Sequence, residues 1–216
     1  MSINKKYITQ NREPFFEIAR KLIQPGFQVL DIGAANGSFA KYCNNNDMYL
    51  LDGNEETVLE YSVSFKNFFY AKLPNIPFEN NKFDLIHCSH VVEHLNPEDL
   101  YQTLKEFDRC LKFNGYLVIS APLITDFFYN DLSHIKPYNP EVFIKYMVGK
   151  KLDNLSRTKI SFSYILNNLV YRYRKEKIIS GEFSMILDLL LRVLKKIGIC
   201  KYIKTGFTIV LSKGTI

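Results

Sequence analysis

Val29-Leu30-Asp31-Ile32-Gly33-Ala34-Ala35-Asn36-Gly37 decides the fold. The apolar run 27–32 reads as a buried strand, and a helix is expected over 38–44. Between them, Gly33 and Gly37 let the backbone turn tightly and approach a ligand with no Cβ in the way. The carboxyl end of a strand is where open α/β sheets bind ligands. Asp52 closes the second strand 21 residues after Asp31, where a carboxylate can accept two hydrogen bonds from a ribose diol. A pyrophosphate loop would read GxGxxG; the spacing here is Asp31-x-Gly33-x-x-x-Gly37. An acid before the first glycine would repel a pyrophosphate and suits an ammonium group.

Working outward, residues 13–24 carry apolar side chains at helical spacing, and Pro25-Gly26 ends the run. Strands are expected over 48–51, 68–71, 83–89 and 116–121, with helices over 55–65 and from Pro97 to Leu111 and a short one over 91–95. Asn114-Gly115 is read as the end of the long helix. Strands alternating with helices at this spacing mean βαβ units and a parallel sheet covered on both faces. Beyond Pro122 the pattern loosens. Residues 126–139 read as a polar, aromatic loop, 140–148 as a helix, 156–162 as an alternating strand, and 208–212 as a last strand. Between these strands, 164–204 is expected to interrupt the hairpin with two helical stretches.

The chain has 216 residues, 47% hydrophobic and 23% charged, the composition of one ordinary globular domain. No apolar run reaches the roughly 18 residues of a membrane span, and no signal peptide opens the sequence, so a cytoplasmic protein is expected. Cys43, Cys88, Cys110 and Cys200 are scattered without ligand spacing and read as reduced thiols. Charge is uneven. Residues 145–204 hold 14 Lys/Arg against 4 Asp/Glu, while the rest holds 14 against 18. A near-neutral body therefore carries a basic C-terminal region.

With these motifs in order, the chain resembles a class I S-adenosylmethionine-dependent methyltransferase over about 13–122. Pro77-Phe78 leading to Phe83-Asp84 is similar to that family's "LPF…FD" approach to the fourth strand. Ser89-His90-Val91-Val92-Glu93-His94-Leu95 is similar to its "S-x-V-x-E-H-L" stretch. The resemblance implies a doubly wound, Rossmann-like, mostly parallel seven-stranded sheet, here with a C-terminal helical insertion. It divides the single domain 1–216 into a cofactor core (1–122), an acceptor loop and strand (123–163), a basic helical insertion (164–205) and a last strand (206–216). It implies S-adenosylmethionine as cofactor, held by Asp31, Gly33, Ala34, Gly37, Asp52, Gly53 and Ser89. Lys72 stands where the family often has an adenine-binding Asp. A cation cannot accept that bond, so backbone near Lys72 and Leu73 is expected to read the base.

Methyl transfer from a sulfonium needs mainly alignment, with a general base where the nucleophile is a hydroxyl. His134 is the expected base and His90 a second candidate beside the methyl donor; Glu93 and His94 read as helix start and packing. The segment from Asp131 to Glu141 resembles the "D-x-x-H-x-[KR]-x-[YW]-x-P-E" loop of methyltransferases of bacterial lipopolysaccharide and other surface glycans. That implies O-methylation of a sugar or phosphosugar, with Lys136 on an anionic group and Tyr138 stacked on a sugar face. Asp131 and His134 alone make a poor metal site, so no metal is expected.

Rival acceptors are a small lipid or quinone-like metabolite, or RNA; a rival of another class is a non-catalytic cofactor-binding scaffold. The basic run Tyr171–Lys177 and an amphipathic helix over 184–199 read as a cap on the acceptor pocket. Contact with the inner face of the membrane, or a homodimer interface, are the alternatives. No RNA-binding module accompanies the run, so nucleic acid is not the expected partner.

Overall fold

A computed structural model describes residues 3–149, 155–176 and 201–214. Its centre is β1 (Val29–Ile32), buried along its whole length. Around it run β2 (Tyr49–Asp52), β3 (Phe68–Tyr70), β4 (Phe83–Ser89), β5 (Leu111–Pro122), β6 (Tyr164–Glu176) and β7 (Lys201–Lys213). The sheet order is β3-β2-β1-β4-β5-β7-β6. The first five strands pair in parallel; β7 is antiparallel to both β5 and β6. The sheet is therefore mixed, and its strand order reverses at β1, where ligands of such sheets bind.

Among the described residues, five α-helices cover the faces: α1 (Glu13–Arg20), α2 (Ser38–Cys43), α3 (Glu55–Tyr61), α4 (Pro97–Cys110) and α5 (Pro140–Met147). Alternation along β1 feeds two cores. Leu30 and Ile32 join Leu100, Leu104, Phe107 and Phe143 beneath α4 and α5, while Val29 joins Phe16, Ala19 and Phe39 beneath α1 and α2. Asn96 starts α4 by accepting from the Glu98 and Asp99 backbone N–H groups, with Pro97 in the first turn. These are the N-terminal signals legible in the sequence.

Three expectations are corrected. Asn114-Gly115 does not end α4, which stops at Cys110. Instead, Asn114 takes φ +63° within β5, where the register against β4 shifts, so the pair makes a bulge inside a strand. Residues 156–162 form no strand; the Ile160 and Ser161 N–H groups there donate to the Tyr146 carbonyl in α5. Most consequentially, 164–204 is not a helical insertion where it is described. Its two ends are long strands, paired from Tyr164↔Lys213 to Glu176↔Lys201. Tyr, Val and Ile in these runs favour extended chain, and the hairpin extends the sheet beyond β5. The helix expected over 184–199 lies outside the described residues. Among the described residues, no helix is long and apolar enough to cross a membrane.

Gly37 sets the turn into α2 at φ +69°, and a Cβ there would stand 2.3 Å from the Phe65 ring. Gly37→Ala therefore combines left-handed strain with a clash. A loss of about 2 kcal/mol or more is expected, lowering the melting temperature by about 4–8 °C. Calorimetry checks it; an unchanged melting temperature would show that the turn repacks freely.

Candidate functional site

The cleft lies along the carboxyl ends of β1, β2 and β4. Gly33 takes φ +67°, and Val91 fills the space that a Cβ would need, its Cγ2 standing 2.2 Å from that position. The Gly33 and Ala34 N–H groups both donate to the Leu51 carbonyl, at 2.8 and 3.2 Å. Asp52 braces the same loop: Oδ2 accepts from the Ala35 N–H at 2.8 Å and Oδ1 from the Asn54 N–H at 2.9 Å. Each carboxylate oxygen keeps a further lone pair for a ribose hydroxyl. Beside it opens a cavity of about 380 Å³ bounded by Gly33, Gly53, Lys72, Leu73, Val91 and His94. Ile32, Leu51 and Leu95 supply apolar wall, suited to a flat base. Lys72 and Leu73 thus stand where the sequence places them.

A narrow crevice adjoins this cavity through Gly33 and is lined by Arg12, Asp31, Ala34, His87 and Ser89, among others. Asp31 is buried and already engaged: His87 Nδ1 donates to its Oδ1 at 2.7 Å, and the imidazole stacks on Phe39 at 3.9 Å. An ammonium group would meet a carboxylate shared with His87, not a free one. Gly37 lines neither space; it shapes the turn.

The acceptor side is built on the turn after β4. His90 has φ +59°, and its Nδ1 lies 3.2 Å from Glu93 Oε1. Burial, chiefly, holds its pKa below the usual histidine value, with Arg172 and Arg12 adding to the effect against the pull of Glu93. Glu93 is 1% exposed. Its carbonyl accepts from the Ile135 and Lys136 N–H groups, at 2.8 and 3.1 Å, docking the loop after β5 onto the turn after β4. That clamp brings His134 to His94, their ring centres 5.0 Å apart. His94 Nδ1 donates to the Ser133 carbonyl at 3.0 Å and His134 Nδ1 to the Phe128 carbonyl at 2.7 Å. A carbonyl only accepts, so each neutral ring carries its proton on Nδ1 and its lone pair on Nε2.

Tyr138 is 5% exposed and its hydroxyl donates to the Leu95 carbonyl at 2.9 Å; it pins the loop and, with Lys136, borders a separate cavity of about 310 Å³. Lys136 is exposed and stands over the Tyr138 ring. The sequence reading also missed Arg12 and Arg172. Arg12 precedes α1, and Arg172 sits in the run assigned to a helix; only the β6 register brings it over Phe15, at 4.6 Å.

The fold is that of the class I S-adenosylmethionine-dependent methyltransferases. The chain belongs to the methyltransferase-domain family, whose model matches residues 3–158. An uncharacterized protein of Methanocaldococcus jannaschii is 29% identical over 109 residues, 49% of this chain. The chain spans about half the length of that curated relative, the match covering 47% of it. Among solved structures, a SAM-dependent methyltransferase from Archaeoglobus fulgidus superposes with a TM-score of 0.61 at 21% identity, over 94% of this chain and 95% of that one. The geranyl diphosphate C-methyltransferase of Streptomyces coelicolor, in complex with Mg2+, geranyl diphosphate and S-adenosyl-L-homocysteine, gives 0.61 at 8% identity, over 94% and 77%. Both likenesses are of fold.

Asp52→Ala removes the brace of the glycine loop and the acceptor for the ribose diol. Hydrogen bonds to a charged group contribute about 1.5–3 kcal/mol each. S-adenosylhomocysteine should therefore bind about ten-fold more weakly or worse, by isothermal titration. Wild-type affinity in this variant would remove Asp52 from the cofactor site.

Proposed function

We propose that the protein transfers the methyl group of S-adenosylmethionine to an oxygen of an anionic, polar acceptor, a sugar or phosphosugar of surface-glycan biosynthesis. The observation that carries this reading is a pair of neighbouring arginines, one of them lining the crevice beside Asp31. Arg12 lines the crevice with Asp31, Gly33 and Ser89. Arg172, half-buried over Phe15, has its pKa pushed down to about 10, by burial first and then by Arg12, against the pull of Glu93. Among the described residues neither guanidinium makes an ion pair. Two neighbouring cations, one losing water, are stabilised by an anion between them, and guanidinium groups suit carboxylate or phosphate. A neutral quinone or lipid tail would use neither.

The likeness of the Asp131–Glu141 loop to glycan methyltransferases points the same way. A neighbour of the same fold that is in complex with geranyl diphosphate offers a precedent for an anionic acceptor. RNA is disfavoured because the basic run carries no RNA-binding module, and two rings near it are already engaged by cations: Tyr171 by Lys204 at 3.7 Å and Phe127 by Arg174 at 4.8 Å. Base stacking needs open rings.

In the reaction an acceptor oxygen attacks the methyl carbon in line. The carbon–sulfur bond breaks with its electron pair left on sulfur, and the hydroxyl proton departs. Alignment supplies most of the acceleration.

A methyl-donor assay against sugar phosphates, sugar nucleotides, neutral sugars, quinols and tRNA tests the reading. Phosphorylated or carboxylated sugars should be methylated, and Arg172→Met should raise their KM about ten-fold or more, as loss of a charge-assisted contact does. Methylation of tRNA alone, or of a neutral acceptor indifferent to Arg172→Met, would reject it. In His134→Ala, turnover should fall about a hundred-fold or more while cofactor affinity stays within about two-fold of wild type; undiminished turnover would remove His134 from the reaction.

A further inference from the structure

Glu93, His94 and His134 come from two segments, with His94 and His134 40 residues apart in sequence, yet a ring nitrogen of each histidine and a carboxylate oxygen of Glu93 all lie within 4.8 Å of one another. Two imidazoles and a carboxylate are a ligand set for a divalent first-row metal such as zinc, manganese or cobalt. Proximity alone would not make a site. Two independent features do. Glu93 Oε2 is buried and has no hydrogen-bond partner, in a residue 1% exposed. A carboxylate oxygen in that state is costly unless something else completes it. Both histidines, moreover, are held by the hydrogen bonds that metal-bound histidines make: each Nδ1–H is tied to a backbone carbonyl, at 3.0 Å for His94 and 2.7 Å for His134. That fixes the tautomer and leaves Nε2 with its lone pair free.

We propose that Glu93, His94 and His134 bind one divalent metal ion at the junction of the cofactor cavity and the acceptor loop. Ligands around such an ion stand about 3.4 Å apart in a tetrahedron, so a modest rotation of the side chains closes the site. His94 is itself part of the cofactor cavity wall, which puts the ion within reach of an acceptor hydroxyl approaching the methyl group. Three protein ligands leave coordination positions open for that oxygen. Coordination lowers the pKa of the hydroxyl; its proton passes to water, the oxygen takes the methyl group, and sulfur keeps the electron pair of the broken bond. Exposed Asp131, with Oδ2 at 4.0 Å from His134 Nε2, adds negative charge outside the set. His134 then acts as a ligand and not as the proton acceptor that its place in the sequence suggests. This role in activating oxygen rests on the methyl-transfer reading above; the metal site itself does not.

The full chain, stripped with a chelator and dialysed, is titrated with Zn2+ by calorimetry and with Co2+ by visible absorption. One ion per chain should bind, with the d–d bands of a low-coordinate cobalt site. Affinity should fall about a hundred-fold or more in His134→Ala and in Glu93→Gln, because each removes a direct ligand. His134→Ala lies in an exposed loop and keeps the measurement informative if Glu93→Gln folds poorly. No stoichiometric binding by the wild type, or binding indifferent to His134→Ala, overturns the site. Full methyl transfer by metal-free protein overturns the role of the ion and leaves methyl transfer standing. Tight metal binding in a protein that methylates nothing supports the site and rejects the transferase reading alone.

Discussion

Gly33 and Val91 occupy one space between them. Where any other residue would carry a Cβ, the Val91 side chain sits instead, 2.2 Å from that position. The glycine loop after β1 is thereby locked to the turn after β4, and the cofactor cavity opens directly onto the acceptor side. Val91 lies between His90 and Glu93 in that turn, so the same contact fixes how far both stand from the crevice. The loop after β5 follows in its turn, docked through the Glu93 carbonyl. Three segments distant in sequence are thus ranked by one missing methyl group, each set in place by the one before it.

The glycine loop and its carboxylate brace were legible because their chemistry is local. Asp31-x-Gly33-x-x-x-Gly37 and Asp52 lie within 22 residues, on consecutive strand ends whose apolar runs are short, buried and bounded by turn residues. Periodicity suffices for such elements. Where partners are distant, sequence fell short. Asp31 reads as a free carboxylate until β4, paired in parallel with β1, brings His87 opposite it in register. Glu93 and His94 read as packing residues until a main-chain clamp from 135 and 136 carries His134 to them. A hydrogen bond between backbone groups leaves no trace in residue identity.

The C-terminal hairpin failed for a different reason. Basic residues interleaved with Tyr, Leu and Val satisfy helical and extended patterns alike, and a short apolar run does not choose between them. The choice was made by β5, whose outer edge needs a partner for its N–H and C=O groups. β7 supplies it, antiparallel from Tyr116↔Ser212 to Pro122↔Gly206, and β6 then covers β7. Arg172 stands over Phe15 only as a consequence of that edge being closed. Satisfying backbone hydrogen bonds thus delivered a cation to the start of α1.

The same turn after β4 holds the least comfortable groups in the molecule. His90 takes a left-handed conformation that a non-glycine residue adopts only when its surroundings enforce it, and burial keeps its ring from protonating readily. Glu93 buries a carboxylate with one oxygen on His90 and the other on nothing. Packing alone would fill such a place with an apolar side chain at lower cost. Strain, an unsatisfied carboxylate and two tautomer-locked histidines within a few ångströms are what a fold retains when the missing partner arrives from outside. Glu93 stands next to His94 in that turn, and His94 lines the cavity beside the glycine loop, so whatever completes Glu93 there lies close to that cavity.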